Sequence, residues 1–262
     1  MRIVSYTDGA GAAVGIVEGD EVRHAGLDVW APNPTDETRP LAEVKLLAPV
    51  PRPGKIICIG LNYRDHAAES GMPVPETPVV FAKFGNTVSG PGDPILIPPI
   101  TSEVDYEAEL AIVIGSQARA VGVDEAAQHI LGYTCVNDVS ARDIQLGDGQ
   151  WVRGKSLDTF CPMGPWIVTP DELGDPTGLP IRCVVNGEVL QDSSTAQMVF
   201  GPAELVSFLS QGITLEPGDV IATGTPPGVG FARKPPVYLR PGDTVSVQID
   251  GIGELTNPVE AR

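Results

Sequence analysis

One short acidic segment carries the residues best placed to do chemistry. It runs from Ser102 to Gly115 and reads SEVDYEAELAIVIG. If the segment is a β-strand, alternate residues share a face, so Asp105, Glu107 and Glu109 lie on one side, about 7 Å apart. Carboxylates at that spacing repel one another unless a cation lies between them. A hard divalent ion with oxygen ligands would satisfy them.

The alternative is a solvent-exposed acidic edge that protects a sheet against aggregation. Ala111 and Val113 follow on the same face and predict that the strand runs into the interior, where bare carboxylates are costly. Spacing alone leaves both alternatives open, and exposed acidic faces are common. A third carboxylate could come from Asp138, where the strand-like YTCVN gives way to a loop, with Asp143 as the competing acid.

A lysine in a phosphate-loop pattern raises a different possibility. GQWVRGKS, residues 149–156, matches G-x-x-x-x-G-K-[ST]. Such a loop needs a strand before it and a helix that begins at the lysine. The upstream SARDIQLGDGQ is polar, and Pro162 and Pro165 limit any downstream helix to about one turn. A nucleotide-binding module is therefore disfavoured, and Lys155 needs another role.

The elements that must position these residues are predicted to be mostly β-strands. Apolar runs end at glycine or proline, and PGD precedes a β-branched run at Pro91, Pro217 and Pro241, which is typical of a turn entering a strand. Helices are predicted from NYRDHAAESG, DEAAQHILG and GPAELVSFLSQG. We expect a predominantly β member of the α+β class, with a small β-rich N-terminal appendage at 1–50 and a main domain at 51–262.

Composition limits the partners and the compartment. The chain carries 17 basic and 34 acidic residues, a net charge of −17, which argues against nucleic acid or an anionic membrane surface as partner. No apolar run approaches the ~20 residues of a membrane span, and no signal peptide is visible. Four widely spaced cysteines predict buried free thiols in a reducing compartment. These features predict a soluble cytoplasmic protein.

Eight segments, in one order from about residue 54 to 260, resemble the fumarylacetoacetate hydrolase family. They are KIICIGLNYRDHAAESG, PVVFAKF, DYEAELAIVIG, GYTCVNDVSARDIQ, GKSLDTFCPMGPW, VNGEVLQDSST, TLEPGDVIATGTPPGVG and GDTVSVQIDGIGELTNPV. Each is weak alone, but the ordered set is specific for the family, though not for a substrate. The resemblance implies a mixed β-sandwich roll, a homodimer, and bound Mg²⁺ or Mn²⁺, with Ca²⁺ also acceptable to oxygen ligands.

The resemblance also implies roles for individual residues, by matching motifs. Its metal ligands are Glu107, Glu109 and Asp138. Its catalytic residues are His66 as general base, Glu69 as the carboxylate that orients it, and Lys155 beside developing negative charge. Its substrate-binding residues are Arg142, Gln145, Thr225, Tyr63 and Lys83, and for the last two a packing or surface role is equally open.

These groups suit chemistry on a 2-oxo acid, whose carboxylate and oxo group can chelate one hard cation. The main prediction is hydrolysis of the C–C bond of an acylpyruvate-type 2,4-dioxo acid to pyruvate and a carboxylic acid. The same site could act as an oxaloacetate decarboxylase or a 2-hydroxyhepta-2,4-diene-1,7-dioate isomerase, since one scaffold can host several reactions. A 2-oxo acid binding protein is the non-enzymatic alternative, and the presence of both His66 and Glu69 argues against it.

Overall fold

Strands dominate the computed structural model, which describes residues 1–9 and 11–262. The strands are Arg2–Thr7 (β1), Ala12–Glu18 (β2), Glu21–His24 (β3), Thr38–Pro40 (β4), Lys45–Leu47 (β5), Ile56–Gly60 (β6), Val79–Lys83 (β7), Val88–Ser89 (β8), Ile95–Ile97 (β9), Val104–Asp105 (β10), Ala108–Ile114 (β11), Ile130–Asn137 (β12), Ser140–Ala141 (β13), Cys161–Val168 (β14), Pro180–Val185 (β15), Glu188–Ser194 (β16), Val220–Ala222 (β17), Thr244–Ile249 (β18) and Gly253–Ala261 (β19).

Helices are short and lie between the strands. The α-helices are Arg64–Ser70 (α1), Val123–Ala126 (α2), Arg142–Gly147 (α3), Val152–Lys155 (α4), Pro170–Leu173 (α5) and Pro202–Ser210 (α6). Single 3₁₀ turns occur at Leu41–Glu43, Gly85–Thr87, Ala127–His129, Thr195–Gln197 and Gly230–Ala232. Within the described part of the chain, no helix is long and apolar enough to span a membrane.

Two sheets pack face to face. The larger has the order β4-β3-β2-β1-β14-β12-β11-β17-β6-β7, and the smaller has the order β16-β15-β18-β19-β9. Strands β11, β12 and β14 contact β15, β18 and β19 across an apolar core that includes Leu110, Ile112, Ile181 and Val247. Most neighbours are antiparallel, but β17–β6, β14–β8 and β19–β9 are parallel. The predicted mixed, predominantly β fold is confirmed.

The N-terminal segment contributes to the larger sheet. Strand β1 pairs with β2 and, through Ile3 opposite Ile167, with β14. The segment also has a core of its own, built around Val4, Tyr6, Val17 and Val22. The division of the chain near residue 50 stays a prediction.

The alternating pattern predicted that the acidic segment is one continuous strand. The structure divides it into two strands. Strand β10 ends at Asp105 and pairs with β13, whereas β11 begins at Ala108 and pairs with β12 and β17. Glu107 lies in the break between them. Asp105, Glu107 and Glu109 are buried and Glu103 is half-buried, so the exposed acidic edge is wrong, and these three acids lie in the interior.

The predicted helices form with different lengths. NYRDHAAESG gives α1, which is followed by Gly71 in a left-handed conformation with φ of 65°. DEAAQHILG gives only the short α2 and a 3₁₀ turn. GPAELVSFLSQG gives α6, whose first turn is capped because Glu204 accepts a hydrogen bond from the Gly201 N–H at 2.7 Å. The four cysteines are free and buried, as predicted, and burial raises the pKa of Cys161 to about 12.

Candidate active site

Three buried carboxylates meet where two neighbouring strands end. Glu107 and Glu109 flank the first residue of β11, and Asp138 directly follows β12. The β11–β12 register sets Ala108 opposite Asn137, which brings these strand ends together. One oxygen from each of Glu107, Glu109 and Asp138 lies within 4.8 Å of the others. The structure thus brings together the three residues that the sequence predicted as metal ligands.

Cationic side chains neutralise two of these carboxylates. Lys155 Nζ donates to Glu107 Oε2 and to Asp138 Oδ2, both at 2.7 Å. Lys83 Nζ lies 2.5 Å from the other oxygen of Asp138, and Arg142 Nη2 lies 2.6 Å from Glu107 Oε1. Burial alone would raise the pKa of Glu107, but the charges of Lys155 and Arg142 outweigh it and lower that pKa to about 2.

Glu109 is the carboxylate without a counterion. Its Oε2 accepts a hydrogen bond from the Gly224 N–H at 2.8 Å, and it forms no ion pair with any residue that the structure describes. Burial, followed by the charges of Asp138 and Glu107, raises its pKa well above the usual range. A set of three buried oxygen donors with one uncompensated negative charge fits a hard divalent cation.

Tyr63 lies beside this uncompensated charge. Its side chain is fully buried, and its hydroxyl has no hydrogen-bond partner within the described chain. Burial, followed by the charges of Glu109 and Asp65, raises the pKa of this hydroxyl well above its usual value. A buried hydroxyl without a partner is uncommon in a folded protein.

Lys155 does not belong to a phosphate loop. Helix α4 ends at Lys155 rather than beginning there, and it follows helix α3 rather than a buried strand. The lysine is 2 % exposed and lies between carboxylates, where the charges of Asp138 and Glu107 outweigh burial and raise its pKa. The structural context that nucleotide binding would need is therefore absent around this motif.

Arg142 connects the carboxylates to a distant loop. Its Nε donates to Asp105 at 2.8 Å and its Nη1 to Gln145 Oε1 at 2.9 Å. Its guanidinium lies over the Phe231 ring, 4.5 Å from the centroid. Asp105 also accepts hydrogen bonds from the N–H groups of Gly230 and Phe231. The predicted substrate residues Arg142 and Gln145 therefore lie together beside Glu107.

Asp105 lies near the three carboxylates but does not point toward them, as the strand pattern predicted it would. It was expected on the face of Glu107 and Glu109, but its carboxylate turns to Arg142 and to the loop at 230–231. The pattern correctly predicted that Asp105 is buried, and a buried acid must have polar or charged partners. It could not give the partners, which lie elsewhere in the chain.

His66 and Glu69 form a hydrogen-bonded pair on α1, three residues apart. His66 Nδ1 lies 2.9 Å from Glu69 Oε2, and Glu69 Oε1 accepts from the Gly228 N–H at 2.9 Å. Helix α1 is anchored by Asp65, whose Oδ2 accepts from Ser193 at 2.5 Å. Across the residues described, no hydrogen bond joins this pair directly to the carboxylates. The pair is linked to the carboxylate cluster indirectly, through the loop at 228–231. Glu69 binds this loop at Gly228, and Asp105 binds it at residues 230–231.

The remaining candidates have structural partners. Thr225 Oγ1 donates to the Ala108 carbonyl at 3.0 Å and accepts from Gln191, a buried residue that no sequence pattern singled out. Lys83 Nζ also donates to the Val139 carbonyl at 3.0 Å and is almost fully buried. Substrate contacts by Thr225, Tyr63 and Lys83 stay predictions.

Comparison with known proteins identifies the family. Residues 55–260 match the domain described as fumarylacetoacetate (FAA) hydrolase C-terminal. The chain belongs to the fumarylacetoacetate hydrolase family. Residues 1–49 match a separate domain described as Rv2993c-like, N-terminal. The family resemblance seen in the ordered motifs is confirmed.

Relatives of this family carry several activities in their names. The chain is 51% identical over 222 residues to oxaloacetate tautomerase FAHD2A, mitochondrial, of Bos taurus, covering 84% of this chain and 71% of that protein. It is 42% identical to a solved 2-hydroxyhepta-2,4-diene-1,7-dioate isomerase from Mycobacterium marinum, with a TM-score of 0.89 over 100% and 99% of the two chains. A fumarylacetoacetate hydrolase from Exiguobacterium antarcticum is 39% identical, with a TM-score of 0.87 over 100% of both.

These names correct two expectations. The predicted cytoplasmic location is contradicted, because the curated relatives from Bos taurus and Xenopus laevis are named as mitochondrial. An apolar leader is not diagnostic of this location, since mitochondrial targeting segments are amphipathic rather than apolar. The names also favour the predicted alternatives, reactions on oxaloacetate or isomerisation, over the main prediction of C–C hydrolysis. An enzyme acting on a keto acid agrees with all three names.

Proposed function

We propose that this protein is a divalent-metal-dependent enzyme that interconverts the enol and keto forms of a short 2-oxo dicarboxylic acid of the oxaloacetate type. The observation that carries the proposal is the convergence of two buried cations, Lys155 and Arg142, on Glu107 beside the uncompensated Glu109. Such a site suits an anionic substrate that develops further negative charge on an oxygen. The relatives' names support this choice among the reactions open to the family.

The chain's own residues divide the work between charge and proton transfer. Lys155 and Arg142 stabilise the negative charge of the enolate through which the keto and enol forms interconvert, in a buried setting where such interactions are strong. Glu69 holds His66 at Nδ1, which leaves Nε2 as the nitrogen that exchanges a proton with the substrate. A cation held by Glu107, Glu109 and Asp138 would polarise the 2-oxo group when bound.

Tautomerisation needs fewer groups than hydrolysis. It moves one proton between an oxygen and C3, whereas cleavage of an acylpyruvate also needs a positioned water and a leaving fragment. The His66–Glu69 pair could serve either reaction. Mg²⁺ and Mn²⁺ remain the proposed cofactors, and the homodimer implied by the resemblance stays a prediction.

A substrate panel tests the proposal. The enol form of oxaloacetate, a dienoic diacid and an acylpyruvate are each incubated with Mg²⁺, Mn²⁺ or EDTA, with protein-free reactions as blanks. We expect loss of the enol ultraviolet absorbance to be the fastest reaction, and EDTA to abolish it. Activity that survives EDTA, or acylpyruvate hydrolysis with the highest kcat/KM, would refute the proposal.

Removal of the proton-transferring side chain should slow the reaction without affecting metal binding. His66→Asn keeps a polar side chain but cannot exchange a proton near neutral pH, so we expect kcat to fall about 10²- to 10⁴-fold. Steady-state kinetics and Mn²⁺ titration measure the two effects separately. His129→Asn is the control, because the His129 ring hydrogen-bonds only to Ser116 among the described residues, and we expect its kcat to be unchanged. Equal kcat in both variants would exclude His66 as the proton carrier.

A further inference from the structure

The backbone ladder that supports the metal-ligand segment stops short of it. Strands β11 and β17 pair from Val113 opposite Val220 to Ala111 opposite Ala222. One further bond follows, from the Thr223 N–H to the Leu110 carbonyl at 3.0 Å. If the strands continued to pair in this register, Thr225 would lie opposite Ala108, the residue between Glu107 and Glu109.

Gly224 prevents that continuation. Its φ is 100°, a left-handed conformation that interrupts an extended strand. An added Cβ there would lie 2.8 Å from Asn62 Cβ and 3.0 Å from the Ile59 carbonyl, so the site admits only glycine. The turned backbone directs the Gly224 N–H to Glu109 Oε2. It also leaves the N–H and carbonyl of Ala108 without a partner strand on this side.

Two side chains replace the missing ladder bonds. Gln191 Oε1 accepts from the Ala108 N–H at 2.9 Å, and Thr225 Oγ1 donates to the Ala108 carbonyl at 3.0 Å. Gln191 Nε2 donates to Thr225 Oγ1 and to the Pro226 carbonyl, both at 2.8 Å. Gln191 is 1% exposed and lies on β16 of the smaller sheet. One amide therefore fixes the ligand segment and the following loop together.

We propose that Gln191 is a positioning residue for the metal site: with Thr225 it acts as a substitute strand that holds Ala108 and so sets the separation of the Glu107 and Glu109 carboxylates. Groups that orient ligands from behind commonly change metal affinity about 10- to 100-fold when removed. The inference rests on the proposed metal site. It assigns to Gln191 an effect on metal affinity that a purely structural amide would not have.

The test measures metal binding directly, without turnover. Gln191→Met keeps the side-chain volume and removes all three hydrogen bonds. We expect the Kd for Mn²⁺ to rise about 10- to 100-fold, by titration calorimetry and by the paramagnetic resonance signal of free Mn²⁺. Thr225→Val, which keeps its shape and removes one bond to Ala108, should raise the Kd in the same direction. It replaces Gln191→Met as the deciding variant if that protein does not fold.

Asn257→Leu is the matched control. Asn257 is also a 1% exposed amide of the smaller sheet, and its Nδ2 donates to the carbonyls of Gly90 and Asp93 at 2.9 and 2.8 Å. Its loss should lower Tm, as in Gln191→Met, but leave the Mn²⁺ Kd unchanged. A Kd unchanged in folded Gln191→Met, or raised equally in Asn257→Leu, would overturn the role of Gln191 alone. Failure of the unsubstituted protein to bind Mn²⁺ would overturn the metal site and this role together.

Discussion

Glu109→Gln is expected to abolish metal binding and activity while leaving the metal-free protein at least as stable as the unsubstituted one. Glu109 forms no ion pair within the described chain, and burial beside Asp138 and Glu107 raises its pKa. A neutral amide of the same shape removes this repulsion and can still accept the Gly224 N–H. Without the third charged donor, we expect Mn²⁺ affinity to fall by more than the ~100-fold typical of a lost supporting group.

Calorimetric Mn²⁺ titration and thermal unfolding in EDTA measure the two parts of this prediction. Glu103→Gln is the control, since Glu103 lies on the same acidic segment but contacts Tyr238 rather than the carboxylate cluster. It should retain metal binding. Wild-type Mn²⁺ affinity in Glu109→Gln would show that the ion, if any, is held elsewhere.

Asp138→Asn is expected to have the opposite effect on stability. Both oxygens of Asp138 accept from buried ammonium groups, one from Lys83 and the other from Lys155. An amide there leaves Lys83 without a carboxylate partner and Lys155 with only Glu107. Removing one partner of a buried ion pair typically costs about 3–5 kcal/mol, because the remaining charge is desolvated without compensation. Metal binding should also be lost, since one of the three charged donors is gone.

Denaturant unfolding of the metal-free protein measures this loss. Asp143→Asn is a suitable comparison, because the exposed Asp143 accepts hydrogen bonds from Thr101, Ser102 and Ile144 but has no cationic partner in the described structure. It should cost no more than about 1–2 kcal/mol. If Asp138→Asn unfolds at the same denaturant concentration as Asp143→Asn, the buried cations do not depend on Asp138.

The sequence predicted the features that depend on local pattern. Alternation along the acidic segment set Glu107 and Glu109 on one side, and apolar continuation predicted their burial. The resemblance implied the histidine and glutamate of α1 as a pair, in agreement with the rule that residues three apart share a helix face. The ordered motifs identified the family. Each of these features is encoded within a short stretch of chain.

Features that depend on distant partners could not be predicted. The break after Asp105 follows from its hydrogen bonds to Gly230 and Phe231, more than a hundred residues later. No sequence pattern singles out Gln191, because its role depends on where the β11–β17 ladder ends. The family resemblance implied that Lys155 is an active-site lysine, but no local pattern reveals that α4 places its ammonium group between Glu107 and Asp138.

The carboxylate cluster is contained in a single hairpin. Strands β11 and β12 are adjacent in both sequence and space, so residues 107–138 carry all three acids. By contrast, the imidazole comes from α1, the ammonium groups from β7 and α4, and the bracing amide from β16. These elements orient the acids through ion pairs and hydrogen bonds, but the acids themselves stay on one hairpin when a surrounding element changes. This division gives a physical basis for a family in which closely similar folds bear the names of a tautomerase, an isomerase and a hydrolase.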